Sequence, residues 1–335
     1  MSRILSPRPH RPATWTALAA RRSLIGRKGV RRTLIAAGTA LLSAVGAMGA
    51  PEAAHATLTW WQPSSAQALP LYWALSGTIN VNDPRQIGER SLSGAVLPRP
   101  AVVDIDGDFN SAATVSWFHA RGQKVICYFD AGVYEDYRAD SSKFPKSVIG
   151  SSDSGWSGSW WLDIRQIDVL APIMQARMDA CVSKGFDAIE PDEIDGWENS
   201  SGFPLTYGDQ LNYNRHLFQW AHDRGIAILQ KGDIIQTQDL VDPVDAQLPL
   251  GYADATLNEE CYRYRECLNP WNPVTGQDQV GLQAYVQRGR AVWIAEYTST
   301  ATTRMCAGAP GAHFNGARYK LGLPDAAGRQ PCSAW

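Results

Sequence analysis

The sequence lacks the short motifs of several large enzyme classes. No glycine-rich turn follows the first predicted strand, which argues against a dinucleotide-binding sheet. No serine stands in a G-x-S-x-G elbow, and the histidines form no H-E-x-x-H or H-x-H pair. No C-x-x-C pair indicates a zinc site. These absences argue against a serine hydrolase, a zinc enzyme and a histidine-dependent polysaccharide deacetylase, and we expect neither a metal nor another cofactor.

Basic charge is scarce outside the first 56 residues. Residues 1–56 hold nine of the 31 Lys and Arg residues and one of the 33 acids, which leaves residues 57–335 with a formal charge of −10. Phosphate recognition requires a basic face, so a body this acidic is poorly suited to nucleic acid. We therefore expect no nucleic-acid partner.

Residues 1–56 have the order of an export signal. A basic region leads into an apolar run at residues 33–50, and the Ala-His-Ala at 54–56 matches a small-x-small cleavage site. An Arg-Arg pair before the run also fits twin-arginine export. The alternative is a membrane anchor, since the run is just long enough to span a bilayer. Its Gly, Ala and Ser content favours cleavage. We expect a secreted monomer, extracellular or periplasmic, without stable membrane insertion.

The six cysteines all follow the predicted signal; they are Cys127, Cys181, Cys261, Cys267, Cys306 and Cys332. An even count in an exported chain favours disulfides. The third and fourth are close enough in sequence to close one loop, and the last two would fasten the C-terminal stretch. The first two lie in a strand-like and a helix-like run, so both pairing and simple burial fit them. We expect residues 298–335 to form a disulfide-tied tail.

From about residue 70 onward, apolar β-rich runs alternate with amphipathic segments. Strands are predicted at residues 71–75, 101–105, 124–130, 188–191, 227–230, 253–258 and 291–295. Several helical segments end in glycine just before the next strand, which indicates repeated β-α units. The expected fold class is α/β, as one (β/α)8 barrel over residues 57–335 rather than an open doubly wound sheet. The eighth strand is expected to be irregular or to lie in a loop-like stretch such as residues 160–164.

Polar side chains stand at the carboxyl ends of nearly every predicted strand, where a barrel builds its active site. They are Asp104, Asp106, Tyr128, Asp130, Glu190, Asp192, Asp195, Lys231, Asp233, Glu259, Glu296 and Tyr297. Residues 104–110 resemble a calcium loop only in part, because the glycine and glutamate of that loop are missing. Paired carboxylates without a metal are typical of glycosidases, in which one protonates the leaving oxygen and the other attacks or activates water.

Flat apolar side chains are abundant, as a sugar-binding cleft requires. Twelve of the 13 tryptophans lie after residue 56. Trp156 and Trp197 follow loop-like segments and are candidate platforms for sugar rings. The alternative for any single tryptophan is packing in the core.

Six stretches carry a resemblance to a known family. They are Trp60-Trp61-Gln62-Pro63; Val103-Asp104-Ile105-Asp106; Val125-Ile126-Cys127-Tyr128-Phe129-Asp130-Ala131-Gly132; Trp161-Leu162-Asp163-Ile164; Lys184-Gly185-Phe186-Asp187-Ala188-Ile189-Glu190-Pro191-Asp192; and Asn258-Glu259-Glu260-Cys261. Together they resemble the endo-α-1,4-polygalactosaminidases of glycoside hydrolase family 114, over roughly residues 60–297. The resemblance implies a (β/α)8 barrel that cleaves α-1,4-linked galactosamine polymers.

The resemblance also implies which residues are catalytic. The family's Asp falls on Asp192 and its Glu on Glu259. We expect Asp192 to be the nucleophile and Glu259 the general acid/base; the reverse assignment stays open, and retention is favoured over inversion. At two positions the chain departs from the family, because Glu193 and Gly232 stand where it usually has asparagine. These changes bear on substrate preference more than on the reaction class.

Galactosamine without an N-acetyl group is cationic, so a cleft lined with acids should attract it. The acids expected to hold its ammonium groups are Asp104, Asp106, Asp130, Asp163 and Glu296. Lys231 is expected to hydrogen-bond a catalytic carboxylate or a hydroxyl. The expected partner is therefore a cationic polysaccharide, cut internally. The alternatives are a glycosidase for another α-linked sugar and a non-catalytic barrel that binds cationic polysaccharide.

Overall fold

The structure is a computed structural model that describes residues 60–242, 251–323 and 327–332. The predicted export signal at residues 1–56 lies outside the described residues. Among the described helices, none combines the length and the apolar character needed to cross a membrane.

Fourteen strands and seven α-helices are described. The strands are β1 (Leu71–Ala74), β2 (Val102–Asp106), β3 (Lys124–Asp130), β4 (Val133–Glu135), β5 (Ile149–Ser152), β6 (Ser159–Leu162), β7 (Ala188–Asp192), β8 (Ala227–Lys231), β9 (Ala255–Glu259), β10 (Trp271–Asn272), β11 (Gln277–Asp278), β12 (Val292–Glu296), β13 (Asn315–Arg318) and β14 (Gln330–Pro331). The helices are α1 (Ala112–His119), α2 (Ile167–Lys184), α3 (Tyr207–His222), α4 (Thr237–Leu240), α5 (Cys261–Tyr264), α6 (Gln283–Gln287) and α7 (Ser299–Gly308).

The main sheet confirms the predicted (β/α)8 barrel. Its strand order is β1-β2-β3-β7-β8-β9-β12-β13-β14, and every neighbouring pair is parallel except β13 with β14. Eight parallel strands therefore follow one another around the sheet. Each contributes to one buried interior cluster, which includes Trp73 of β1, Leu257 of β9, Trp293 of β12 and Ala317 of β13. A second cluster fills the space between the sheet and the helices.

Side chains join the first and last parallel strands. Asn315 Oδ1 accepts a hydrogen bond from Leu69 N at 2.8 Å, and the Tyr319 hydroxyl donates to Leu71 O at 2.8 Å. Tyr319 also meets the Trp73 ring edge-on, with ring centroids 6.0 Å apart. These contacts draw the sheet into a barrel whose interior is packed with side chains.

The eighth parallel strand does not lie at residues 160–164, the example given for a loop-like location. Those residues largely fall in β6, which pairs antiparallel with β4 and β5 in a separate sheet. The eighth strand is β13, within residues 298–335. That stretch, expected to be a tail, supplies α7 and a strand that pairs with β12.

Three disulfides are present in the described part of the chain. Cys261–Cys267 and Cys306–Cys332 form as the spacing predicted. Cys127 and Cys181, for which two interpretations were open, are bonded and tie β3 to α2. The Cys306–Cys332 disulfide joins α7 to the residue that follows β14.

Candidate active site

Three adjacent strands end in the residues expected to carry the reaction. Asp192 ends β7, Lys231 ends β8 and Glu259 ends β9. Because the strands are parallel neighbours, their carboxyl ends meet at one mouth of the barrel. The side chains of Asp192 and Glu259 remain 15% and 37% exposed, so both open toward solvent.

The Lys231 ammonium lies between three carboxylates. Its Nζ donates to Asp192 Oδ1 at 2.7 Å and lies 3.4 Å from Glu259 Oε1 and 3.8 Å from Glu190 Oε1. Burial alone would lower the pKa of Lys231, but these acids raise it well above the ordinary value, so the side chain stays charged. The expected hydrogen bond from Lys231 to a predicted catalytic carboxylate is present.

The pKa of Glu259 is raised by its surroundings. Burial raises its pKa, and the negative charge of Asp192 adds to this effect, while Lys231 opposes it. The Tyr297 hydroxyl donates a hydrogen bond to Glu259. On the other side, the backbone N–H of Glu193 donates to Asp192 Oδ1 at 2.9 Å. Each of the two carboxyls is thus held by a separate donor in addition to Lys231.

Asp104 and Glu190 lie one layer deeper, inside the barrel. Each stands two residues before the end of its strand, and both are 0% exposed. Their carboxyls contact each other. Trp73 Nε1 donates to Glu190 Oε2 at 2.9 Å, and the Lys231 Nζ lies 5.1 Å from the Trp73 ring.

A second buried cation, Arg138, organises the neighbouring strand ends. It bonds Glu135 Oε2 at 2.7 Å and Asp106 Oδ2 at 2.8 Å, and it lies 3.9 Å from Asp130 Oδ2. The Tyr128 hydroxyl lies 3.3 Å from both oxygens of Asp130. Burial, with Glu135 and Asp192 nearby, raises the pKa of Asp130 well above its ordinary value. The charge of Asp106 is already balanced within the chain.

Arg138 and Glu135 were missed in the sequence analysis. Glu135 and Arg138 are an acid and a base three residues apart in the segment after Asp130, and they pair with each other. That spacing was the available signal. It identifies the local pair, but the contacts with Asp106 and Asp130 come from the packing of separate strands.

Two expected ammonium ligands are also paired inside the protein. Asp163 accepts two hydrogen bonds from the Arg165 guanidinium, at 2.7 and 2.9 Å, which lower its pKa. Glu296 Oε1 accepts from the backbone N–H groups of Tyr262 and Arg263, at 2.9 and 3.1 Å, where α5 begins. These hydrogen bonds do not connect Asp163 or Glu296 to Lys231 or to the carboxylates around it.

Asp195, Trp197 and Asp233 form a third group beside the mouth. Trp197 Nε1 and Asn214 Nδ2 both donate to Asp233, each at 3.1 Å, and burial raises the pKa of Asp233 well above its ordinary value. Asn199 Nδ2 donates to Asp195 Oδ1 at 3.1 Å. Asp233 thereby fixes the 3₁₀ turn that carries Trp197 (Gly196–Glu198) against α3.

The two departures from the family occupy special backbone positions. Glu193 has φ 56° and Gly232 has φ 59°, both in the left-handed region. A Cβ at Gly232 would approach Asp195 Oδ2 at 3.4 Å, an ordinary contact, and asparagine tolerates this conformation better than most residues. At Gly132, by contrast, a Cβ would lie 1.6 Å from the carbonyl oxygen of Glu193. A glycine is therefore required at position 132 for the chain there to approach the Glu193 backbone.

A parallel (β/α)8 barrel with two open carboxylates at the ends of adjacent strands, and a tryptophan held beside them, has the parts that a glycoside hydrolase requires. The model of glycoside-hydrolase family GH114 matches residues 51–331. The chain belongs to this family, and the resemblance carried by the six motifs is confirmed.

The chain is also similar to solved structures. Ega3 of Aspergillus fumigatus, in complex with galactosamine, is 26% identical, with a TM-score of 0.66 over 81% of this chain and 97% of that chain. The glycoside hydrolase domain of PelA from Pseudomonas aeruginosa and a variant of it are 13% identical, with TM-scores of 0.49 and 0.50 over 76% of this chain and 95% of theirs. At 13% identity, the likeness to the variant, with its TM-score of 0.50, shows the fold alone. No curated protein sequence matches the chain.

Proposed function

We propose that this glycoside hydrolase cleaves α-1,4-linked, galactosamine-containing polysaccharide internally. The observation that carries the proposal is the Lys231 ammonium, held between Asp192 and Glu259 at an open barrel mouth. The similarity to a barrel bound to galactosamine supports the choice of sugar. So does the −10 formal charge of residues 57–335, because an acidic cleft attracts a cationic polymer.

The reaction proposed has two steps. In the first, the Asp192 carboxylate attacks the anomeric carbon, and the glycosidic C–O bond breaks as its oxygen takes the proton of Glu259. In the second, water attacks the same carbon and gives a proton back to Glu259, while the bond to Asp192 breaks. The raised pKa of Glu259 supports its assignment as the acid.

Retention of configuration is favoured by the spacing of the two carboxyls. Because Asp192 Oδ1 and Glu259 Oε1 both contact Lys231 Nζ, these oxygens lie no more than about 6 Å apart. Retaining enzymes place their carboxyls about 5–5.5 Å apart, and inverting enzymes about 6.5–9.5 Å. Identifying the anomer first released, by NMR, tests this assignment.

The acids around Asp192 are proposed to bind the ammonium groups of the substrate. Asp130 and Asp195 are the best placed, since Asp130 pairs with Asp192 across β3 and β7, and Asp195 follows in the loop after β7. Asp106, Asp163 and Glu296 hold partners of their own and contribute mainly to the shape of the loops. Trp197, fixed by Asp233, is the proposed sugar platform.

The test is reducing-end release from partially deacetylated α-1,4-galactosaminogalactan. We expect release by the wild type, and a loss of at least about 10³-fold in Asp192→Asn and Glu259→Gln. Asp179→Asn, an exposed change on α2, serves as the matched control and should behave as the wild type. If both amide variants keep turnover within about threefold of the wild type, the assignment of these residues is wrong.

The effect of salt on KM and the release of reducing ends distinguish the proposed function from its two alternatives. Salt screens the attraction between a cationic polymer and an acidic cleft, so KM for the partly deacetylated polymer should rise between low and physiological salt. A glycosidase for another α-linked sugar would cut a neutral polymer equally well, with little effect of salt. A non-catalytic barrel would bind the cationic polymer but release no reducing ends.

The environment proposed for the enzyme is outside the cell. Three disulfides in the described residues are typical of exported proteins. Secretion and a monomeric state are checked by assaying culture supernatant for the protein and by light scattering of the purified chain.

A further inference from the structure

Two acids in the barrel interior contact each other, and three of their four carboxyl oxygens receive no hydrogen bond from another described residue. Asp104 and Glu190 are both 0% exposed, and their carboxyls are in hydrogen-bonding contact. Among the residues that the structure describes, no N–H or O–H group donates a hydrogen bond to either oxygen of Asp104 or to Oε1 of Glu190. Trp73 Nε1 donates to the other oxygen of Glu190. A contact of this kind between carboxyl groups is stable when one of them carries a proton.

The surroundings favour one proton on the pair near neutral pH. Burial raises the pKa of Asp104 to about 7, although the contact with Glu190 and the charge of Lys231 lower it. Burial also raises the pKa of Glu190 well above its ordinary value. The other titratable groups that face the pair are Asp192, Tyr128 and Tyr319. Two unprotonated carboxylates here would repel each other in a medium of low dielectric.

The charge of the pair acts on Lys231. Glu190 Oε1 lies 3.8 Å from the Lys231 Nζ, on the interior side, whereas Asp192 and Glu259 end their strands at the mouth. The indole of Trp73 bonds Glu190 and also faces the ammonium. We propose that Asp104 and Glu190 share one proton and form a monoanionic positioning pair that holds Lys231 against Asp192 and Glu259.

This inference rests on the proposed function, and it changes the expected role of both acids. Asp104 was expected to hold an ammonium group of the substrate, but a side chain with no exposed surface inside the barrel does not reach a polymer in the cleft. The pair acts through Lys231 instead. It supplies the counter-charge that keeps the ammonium charged and in place while Glu259 gains and loses its proton.

Counting charges provides a specific test. Asp104→Asn leaves an amide that donates to an ionised Glu190, and Glu190→Gln leaves an amide that donates to an ionised Asp104. Each single variant therefore keeps one negative charge on the pair. The double variant Asp104→Asn/Glu190→Gln removes it. Without that charge the site is more positive, so Glu259 loses its proton at lower pH.

The experiment measures the pH profile of kcat for wild type, both single variants and the double variant. We expect the midpoint of the alkaline limb to stay in place in each single variant and to fall by about one pH unit in the double variant, with kcat reduced about tenfold at neutral pH. If each single variant shifts the limb by half the shift of the double, the pair carries two charges and the proposal is wrong. A limb that stays in place in all variants would also overturn it.

A second measurement does not depend on turnover. The infrared spectrum at pH 7 should lose the carbonyl band of one protonated carboxyl in Asp104→Asn, and the same band in Glu190→Gln. Asp179→Asn should keep it, because that exposed residue lies on α2. If neither single variant loses a protonated-carboxyl band, no proton is shared. Because this readout needs no substrate, it decides the inference even if the wild type releases no reducing ends and the proposed function fails.

Discussion

Two regions of the barrel mouth have the same arrangement of charges but differ in how exposed their acids are. At the ends of β7, β8 and β9, Lys231 lies within 4 Å of three carboxylates, at 2.7, 3.4 and 3.8 Å. Beside β2 and β3, Arg138 also lies within 4 Å of three buried carboxylates, at 2.7, 2.8 and 3.9 Å. Each region thus has one buried cation and an excess of acid.

The two cations differ in how they use the acids around them. The planar guanidinium of Arg138 donates hydrogen bonds to Asp106 and Glu135, which are at most 3% exposed, so these two acids are already paired within the fold. The ammonium of Lys231 is a point charge, and two of its partners remain 15% and 37% exposed. Similar local charge therefore accompanies internally paired acids in one region and solvent-accessible carboxylates in the other.

We expect the largest effect from Lys231→Met, which removes the cation from the region at the ends of β7, β8 and β9. The ammonium would no longer balance Asp192, Glu259 and Glu190, and the carboxylate proposed to attack would take up a proton or move. We expect kcat/KM to fall about 10³-fold, about 4 kcal/mol of transition-state stabilisation. Reducing-end assays measure the loss, with circular dichroism to verify folding. A folded variant with activity within tenfold of the wild type would contradict the role of Lys231.

The matching change in the other region is Arg138→Leu. It leaves Asp106, Glu135 and Asp130 buried without their cation, so we expect the free energy of unfolding to fall by about 3 kcal/mol. Urea denaturation at pH 7 measures this effect. Arg138→Lys should lose less stability than Arg138→Leu, because the positive charge is kept. It should still be less stable than the wild type, because a single ammonium cannot reproduce the guanidinium geometry. A loss below about 0.5 kcal/mol in Arg138→Leu would show that Arg138 is not an anchor.

A smaller effect concerns an acid held by backbone amides and not by a cation. Burial raises the pKa of Glu296 from 4.5 to about 7 in the folded protein. The folded state therefore binds the proton more tightly than the unfolded state. Its contribution to stability is complete below about pH 4.5 and is lost as the pH rises through about 7. We expect Glu296→Gln to remove this part of the pH dependence, about 2 kcal/mol between pH 5 and pH 8.

Thermal and urea unfolding at the two pH values measure the contribution of Glu296. Asp278→Asn is the control, since this side chain is exposed in the β10–β11 hairpin and should leave the pH dependence unchanged. An unchanged difference between pH 5 and pH 8 in Glu296→Gln would mean that Glu296 ionises equally in the folded and unfolded protein.

The parallel strands of the barrel could be predicted where their sequences are continuous and apolar. Val102–Asp106 and Lys124–Asp130 are buried on both faces, which requires β-branched and aromatic residues at successive positions. The eighth strand, Asn315–Arg318, has the sequence NGAR and no such run. It becomes a strand because β12 offers it a parallel edge, an interaction that local sequence does not reveal.

The acids at the strand ends could be predicted for the same reason, since the end of each strand is visible in the sequence. Their separation into groups could not. Asp104, Asp106 and Asp192 all follow apolar runs and look alike in the sequence. Asp104 is enclosed with Glu190, Asp106 is bound by Arg138, and Asp192 faces the cleft beside Lys231.

The sequence by itself therefore determined the barrel class and the set of carboxylates at the strand ends, because strand periodicity and chain order carry that information. Its six motifs carried the resemblance to the family. Only the tertiary structure decided which carboxylates remain open to solvent at the mouth. That choice depends on whether a cation, a backbone amide or another acid lies next to each carboxyl. Those neighbours come from strands and loops far apart in the chain, brought together when the barrel closes.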